Sequence, residues 1–273
     1  MPNAMLNGID IAYDDIGMGG DVVILVHGHP FDRSMWEPQH RIFMEAGWRA
    51  IAPDLRGYGD TSVTPGKTLL GQFAQDIVAL ADHLGVTKFV IVGLSMGGQI
   101  AMEVCRSFPE RIRGLVLIAT FPQAESGQGK VNRNAMADRL LREGLAPYAH
   151  EVLPKMVAPR NIAALPEVGR KVLEMMCNAP PDGAAAALRG RAERPEYSRV
   201  LAHLEVPALV VVGDEDAFTT RADADLMHAL IEGSQLLWMT GIGHMPNLEG
   251  EKEFNATFAA FLKSVFVRSR EMA

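Results

Sequence analysis

The chain has 273 residues, of which 48% are apolar and 22% charged, with two cysteines and a formal net charge of −7. A chain of this size can bury most of the surface its unfolded form exposes, which argues against disorder and for one large domain or one domain carrying an insertion. The acidic balance offers no basic field for a phosphate backbone or an anionic lipid surface, so nucleic acid is not an expected partner. Cys105 and Cys177 cannot make a disulfide framework and lack metal-site spacing, so both read as buried thiols. Met1-Pro2-Asn3-Ala4-Met5 has neither a basic region nor an apolar stretch behind it, and no secretory signal is read there. No apolar run approaches the roughly 18 residues of a membrane-spanning helix, and a cytoplasmic protein is expected.

Taken in chain order, the first strand is Val22-Val23-Ile24-Leu25-Val26. Phe73, Ile77, Leu80 and Leu84 then recur at steps of three and four, the stripe of an amphipathic helix. A second apolar run at 89–92 precedes a helical segment at 99–107, and a third follows at 115–118. Such runs lack polar alternation, as strands do when helices cover both faces of a parallel sheet. From 123 to 194 no strand-like run occurs, and short helices are punctuated by Pro147, Pro154, Pro159, Pro166 and Pro180-Pro181. Strands resume at 208–212 and 236–239, followed by a last helix at 254–266. The pattern predicts an α/β fold with a mostly parallel central sheet flanked by helices. Residues 1–122 and 195–273 would form one core, interrupted by a helical insertion at 123–194.

Gly93-Leu94-Ser95-Met96-Gly97 fits G-x-S-x-G and stands where a buried strand ends and a helix begins. Glycines two residues either side of the serine let strand and helix approach closely, and the helix N-terminus favours developing negative charge there. A serine hydroxyl needs a base, and the base needs a carboxylate to orient it. Gly213-Asp214-Glu215-Asp216 and Gly241-Ile242-Gly243-His244 each follow a predicted strand, at the edge where open α/β sheets place their sites. Of the eight histidines, His244 is the one in such a loop downstream of the acids. Asp216 is the preferred carboxylate and Asp214 the alternative, the others being solvated charge or a cap for a helix starting near Thr219. Backbone donors for an oxyanion would be Met96, next to the serine, and His29, in His27-Gly28-His29-Pro30. Two histidines at that spacing without a third ligand nearby do not make a zinc site, and no metal is expected.

With these motifs in order, the chain resembles the α/β-hydrolase family, in particular the capped group of small esterases, lactonases and cofactor-free haloperoxidase-like perhydrolases. The resemblance is carried by His27-Gly28-His29-Pro30, by Asp54-Leu55-Arg56-Gly57-Tyr58-Gly59-Asp60-Thr61-Ser62, by Gly93-Leu94-Ser95-Met96-Gly97-Gly98, by the stretch from Pro207 to Asp216, and by Gly243-His244. It implies Ser95 as nucleophile, Asp216 as acid, His244 as base, His29 and Met96 as backbone donors, 123–194 as a cap, and no cofactor. Haloalkane dehalogenases and epoxide hydrolases carry aspartate where this chain has Ser95, which sets those chemistries aside. The stretch from Asp54 to Ser62 is a structural signature without a catalytic part. Pro30 occurs in many members and does not discriminate among them.

The expected activity is hydrolysis of a carboxylic ester or lactone of a small to medium, largely apolar substrate, through an acyl-enzyme. A carbon–carbon bond hydrolase, a perhydrolase or acyltransferase with the same triad, and a ligand-binding protein with little turnover are the alternatives. A monomer and a homodimer both stay open. Pocket candidates are Phe31, Phe121, Phe218 and Met245 at strand ends, with Met136, Met156, Met175 and Met176 in the insertion. Thioether chains adapt to varied acyl shapes. An anionic substrate would want arginines, and Arg139, Arg189 and Arg191 lie in the insertion at positions the sequence does not resolve. Gly66-Lys67-Thr68 lacks the first glycine of a P-loop and is read as an exposed loop. Gly57-Tyr58-Gly59 lacks the third glycine of a dinucleotide fingerprint.

Overall fold

The structure, a computed structural model, describes residues 2–271. It opens with a hairpin that the apolar pattern did not reveal, β1 (Asn3–Leu6) and β2 (Ile9–Ile16), paired antiparallel. Its turn is Asn7-Gly8, both at positive φ, the residue pair a tight hairpin turn prefers. β3 (Val22–Val26) and α1 (His40–Ala46) lead to β4 (Arg49–Pro53), whose Arg-Ala-Ile-Ala-Pro sequence carries little strand propensity. α2 (Leu70–His83) buries Phe73, Ile77 and Leu80, as the stripe predicts, with Leu84 at its C-cap. β5 (Phe89–Leu94), α3 (Met96–Ser107) and β6 (Ile112–Ile118) complete the first half.

Next come α4 (Gly127–Glu143), α5 (Ala146–Met156), α6 (Pro159–Ala164), α7 (Pro166–Asn178) and α8 (Pro181–Arg191). Prolines occupy the first turn of α5, α6, α7 and α8, where the missing N–H has no helical partner to lose. That placement divides the segment into short helices. The second half returns with α9 (Ser198–Ala202), β7 (Ala208–Gly213), α10 (Arg221–Leu230), β8 (Gln235–Met239), α11 (Pro246–Glu249) and α12 (Glu251–Glu271). α10 starts at Arg221, two residues beyond the expected start near Thr219, and its cap is Thr220 rather than one of the acids at 214–216.

The described residues form one eight-stranded sheet in the order β1-β2-β4-β3-β5-β6-β7-β8. Pairing is parallel from β4 through β8 and antiparallel at the β1 and β2 edge. Successive residues of a strand face opposite layers. Phe89 and Ile91 pack with Phe73, Ile77 and Ile100, whereas Val90 and Val92 pack with Phe43, Phe254 and Phe258. Covering both faces is why β3, β5 and β7 are apolar throughout. After β4 the chain crosses to the other side of β3, and the C-terminal end of β5 at that reversal carries Ser95.

Cys105 is buried, but Cys177 on α7 is only half-buried, which corrects the expectation of two buried thiols. Gly66 and Lys67 are exposed, but Thr68 is buried because its N–H donates to the Ala186 carbonyl of α8. Among the described residues no helix is long and apolar enough to cross a membrane.

Candidate active site

Between β5 and α3, Ser95 alone makes the turn, with φ 55° and ψ −112°. A residue other than glycine held there costs about 1–3 kcal/mol, so the surroundings must impose it. They do so by close approach. A Cβ on Gly93 would lie 2.2 Å from the Gly97 carbonyl oxygen, and one on Gly97 would lie 2.2 Å from the Val26 carbonyl oxygen. The Ser95 N–H donates to the Ile118 carbonyl (2.8 Å), and its own carbonyl accepts from the Thr120 hydroxyl (2.8 Å). The first N–H groups of α3 lie directly after the serine, where they favour negative charge.

Beyond β7 the chain turns through 214–216. His244 Nδ1 donates to both carboxylate oxygens of Asp216 at 2.9 Å, and the two side chains are 3% and 0% exposed. A carboxylate only accepts, so Nδ1 carries a proton, and in the neutral imidazole the lone pair is then on Nε2. Asp216 also accepts the Phe218 N–H (2.8 Å) and the Thr219 N–H (3.2 Å), which fixes its orientation. The alternative carboxylate is used elsewhere: Asp214 accepts the Gly241 N–H at 2.6 Å, and Glu215 pairs with Arg160. The Phe218 ring stands edge-on to the His244 ring, with centroids 4.9 Å apart.

Glu249, which the sequence reading passed over, holds this loop. Its buried carboxylate accepts the N–H groups of Gly243 and Met245 (3.1 Å each) and, from the helical insertion, those of Ala158 (2.9 Å) and the Asn161 side chain (2.8 Å).

Ser95 and His244 line one cavity of about 180 Å³, with Phe121, Met156 and Phe218 among the predicted pocket residues. Met136 lines an adjoining cavity of about 360 Å³, which shares Arg133, Tyr148, Leu188 and Phe218 with the first. Other candidates lie elsewhere. Phe31 and Met175 border a separate cleft beside Arg33 and Asp54, while Met245 and Met176 are packed in the core. All four are buried in the core cluster that includes Val23, Val90 and Val116, away from the Ser95 cavity. The lining is also not uniformly apolar, because Arg133, Tyr148 and Arg191 reach it from α4, α5 and α8, and Gln99 from α3.

His29 lines the cavity, and its Nδ1 hydrogen-bonds the Tyr58 hydroxyl at 2.7 Å. Burial, with Arg191, Arg133 and His27 nearby, holds its pKa well below the ordinary imidazole value, so the ring is neutral. Tyr58 comes from the Asp54 to Ser62 stretch, whose structural part is also visible in Asp54: it accepts the backbone N–H groups of Arg33 and Asp60 at 2.8 Å each. His27 is committed to the turn, since Nδ1 donates to the Gly28 carbonyl (2.8 Å) and Nε2 accepts the Leu55 N–H (2.9 Å). Among the described residues, the backbone N–H groups of His29 and Met96 have no acceptor.

A serine at a strained strand-to-helix turn, with an Asp–His pair on the loops after β7 and β8, defines the α/β-hydrolase class. Residues 23–257 match the profile of the alpha/beta hydrolase family, and the chain belongs to it. It is 29% identical over 233 residues to 3-oxoadipate enol-lactonase 2 of Acinetobacter baylyi, covering 84% of each chain. It is 28% identical over 271 residues to a bifunctional esterase/perhydrolase of Acinetobacter calcoaceticus, covering 94% of this chain and 98% of the relative. Among solved structures, a malate-bound thermophilic esterase from Thermogutta terrifontis superposes with a TM-score of 0.92 at 36% identity, covering 97% and 98% of the two chains. The enol-lactonase of Burkholderia xenovorans follows with a TM-score of 0.89 at 25% identity, covering 96% and 100%. The chain is therefore an enzyme of the α/β-hydrolase type.

Proposed function

We propose that the protein hydrolyses a carboxylic ester or lactone through an acyl-enzyme on Ser95, with residues 123–194 serving as a cap over the reaction. The observation that carries this reading is the pairing of a strained Ser95 with an Asp216-oriented His244 in one small cavity. Esterase and lactonase relatives agree with it.

The chemistry follows from the proton positions. Ser95 Oγ attacks the carbonyl carbon as His244 Nε2 takes its proton, and Asp216 stabilises the imidazolium that forms. The carbonyl oxygen becomes an oxyanion, held by the free N–H groups of His29 and Met96; losing one such donor typically costs about 3 kcal/mol in the barrier. The imidazolium then passes its proton to the departing alkoxide, leaving the acyl group on Ser95. Water enters, gives a proton to His244, and attacks the acyl carbon. Collapse releases the acid and returns the proton to Ser95.

The test uses nitrophenyl esters and a fluorophosphonate probe. Wild type turns over the esters and is labelled at Ser95, while Ser95→Ala does neither. Equal, slow hydrolysis by both proteins together with an unlabelled Ser95 refutes the proposal.

A further inference from the structure

Arg191 ends α8 inside the cap and is only 8% exposed. Its Nε donates to the Gln99 side-chain carbonyl at 3.1 Å, a neutral acceptor on α3. Among the described residues no carboxylate pairs with it, and its two terminal amines have no protein acceptor. They belong to a side chain lining the cavity that holds Ser95 and His244. A buried charge left this way is strongly unfavourable unless an opposite charge completes it.

The neighbouring charges deepen the deficit. Arg133 lines the same cavity, and Arg194 lies three residues beyond Arg191. Those two share one carboxylate, Glu125, which Arg133 contacts closely and Arg194 approaches at 3.5 Å. Glu196 also acts on Arg194 from the rim, but neither acid is hydrogen-bonded to Arg191, so the positive charge beside it is only partly offset. Burial, then repulsion from Arg133 and Arg194, lowers the proton affinity of Arg191 well below the ordinary guanidinium value, which expresses how little its charge is compensated. Tyr148 borders the same space, with its phenol pushed up by burial and so kept as a neutral donor.

The cavity of about 180 Å³ is smaller than the roughly 300–1,000 Å³ of drug-sized ligand sites. Because Arg191 and Ser95 line the same cavity, an anion on Arg191 and a carbonyl at Ser95 can belong to one short molecule. Two free terminal amines on one planar guanidinium match the paired oxygens of a carboxylate. We propose that Arg191 is a specificity-determining residue that binds a carboxylate on the substrate, so the preferred substrate is a half-ester of a short dicarboxylic acid or a carboxylated lactone. Gln99 positions the guanidinium, and the apolar wall of Phe121, Met156 and Leu188 accommodates the linking carbons. The inference rests on Ser95 as the nucleophile and revises the largely apolar substrate expected from the sequence.

The test compares kcat/KM for 4-nitrophenyl hydrogen glutarate with that for neutral 4-nitrophenyl valerate. Wild type favours the half-ester. In Arg191→Gln the ratio between the two substrates falls about 100-fold, mostly through KM, whereas Arg191→Lys recovers part of it. A wild type that favours the valerate ester overturns the proposal, as does an Arg191→Gln variant that loses both activities equally. A second measurement needs no turnover: glutarate raises the Tm of Ser95→Ala but not that of Ser95→Ala with Arg191→Gln, at matched ionic strength. An equal shift with sodium chloride or inorganic phosphate would mean an adventitious ion only and also overturns it. If Ser95 is neither labelled nor needed for hydrolysis while the glutarate shift depends on Arg191, the hydrolase reading fails and the carboxylate site stands.

Discussion

Asp214 and Asp216 carry the same charge two residues apart, and their surroundings divide them. Asp216 has a buried carboxylate with His244 on one side and two backbone N–H groups on the other. Asp214 braces the Gly241 turn from the solvent side. Asp216→Asn is expected to lower kcat on a nitrophenyl ester by about 10⁴, because the amide favours the wrong tautomer of His244. Asp214→Asn keeps an acceptor for Gly241 and is expected to stay within about threefold of wild type, the ordinary range for an exposed substitution. Steady-state kinetics of the two variants decide the matter, and a reversed order moves the triad acid to Asp214. Adjacent acids could not be ranked with certainty from the chain alone, since a one-dimensional spacing of two residues says nothing about which carboxylate turns inward. Arg191, named from the chain with Arg139 and Arg189 but not placed, and Arg133, not named at all, were undecided for the same reason: which arginine of 123–194 reaches a cavity depends on how the helices that carry it fold.

Helices and loops meet at Glu249. One carboxylate from α11 ties the His244 loop to the start of α6 through Gly243, Met245, Ala158 and Asn161. Replacing it by alanine strands several buried donors, each worth about 1–3 kcal/mol when left unpaired. The losses overlap, so Glu249→Ala is expected to destabilise the protein by about 3–5 kcal/mol, as breaking a buried polar cluster does. Urea denaturation measures this, and a loss under about 1 kcal/mol, the usual size of a surface substitution, would show that the tie is dispensable. The same variant is expected to reduce kcat, because the loop that aims His244 loses its anchor. Elements with strong apolar runs, β3, β5, β6 and β7, were legible because both of their faces are covered. The hairpin of β1 and β2 and the short β4 were not, since alternating or alanine-rich segments resemble loops until they find partner strands.

Across the whole molecule, His27 and His29 impose a pH dependence on stability. Burial lowers both pKa values below the ordinary imidazole range, against partial compensation by Asp54 at His27 and with reinforcement from Arg191 at His29. Below an unfolded pKa near 6.5 the unfolded chain binds protons that the folded protein refuses, so stability falls as the pH falls. The slope reaches about 1.4 kcal/mol per pH unit for each histidine. Urea melts at pH 7.5, 6.5 and 5.5 are expected to show this decline, and a flat profile over that window would refute it. The order of the motifs along the chain specified an α/β core, the helical stretch within it and the elbow serine, because strand length, helix period and glycine spacing are local properties of sequence. Which carboxylate meets His244, which pocket candidates are spent in the core, and how an acidic protein gathers positive charge beside Ser95 depended on distances between segments far apart in the chain. Those distances exist only once the sheet has brought its strand ends together and residues of α4, α5 and α8 line the cavity beside them.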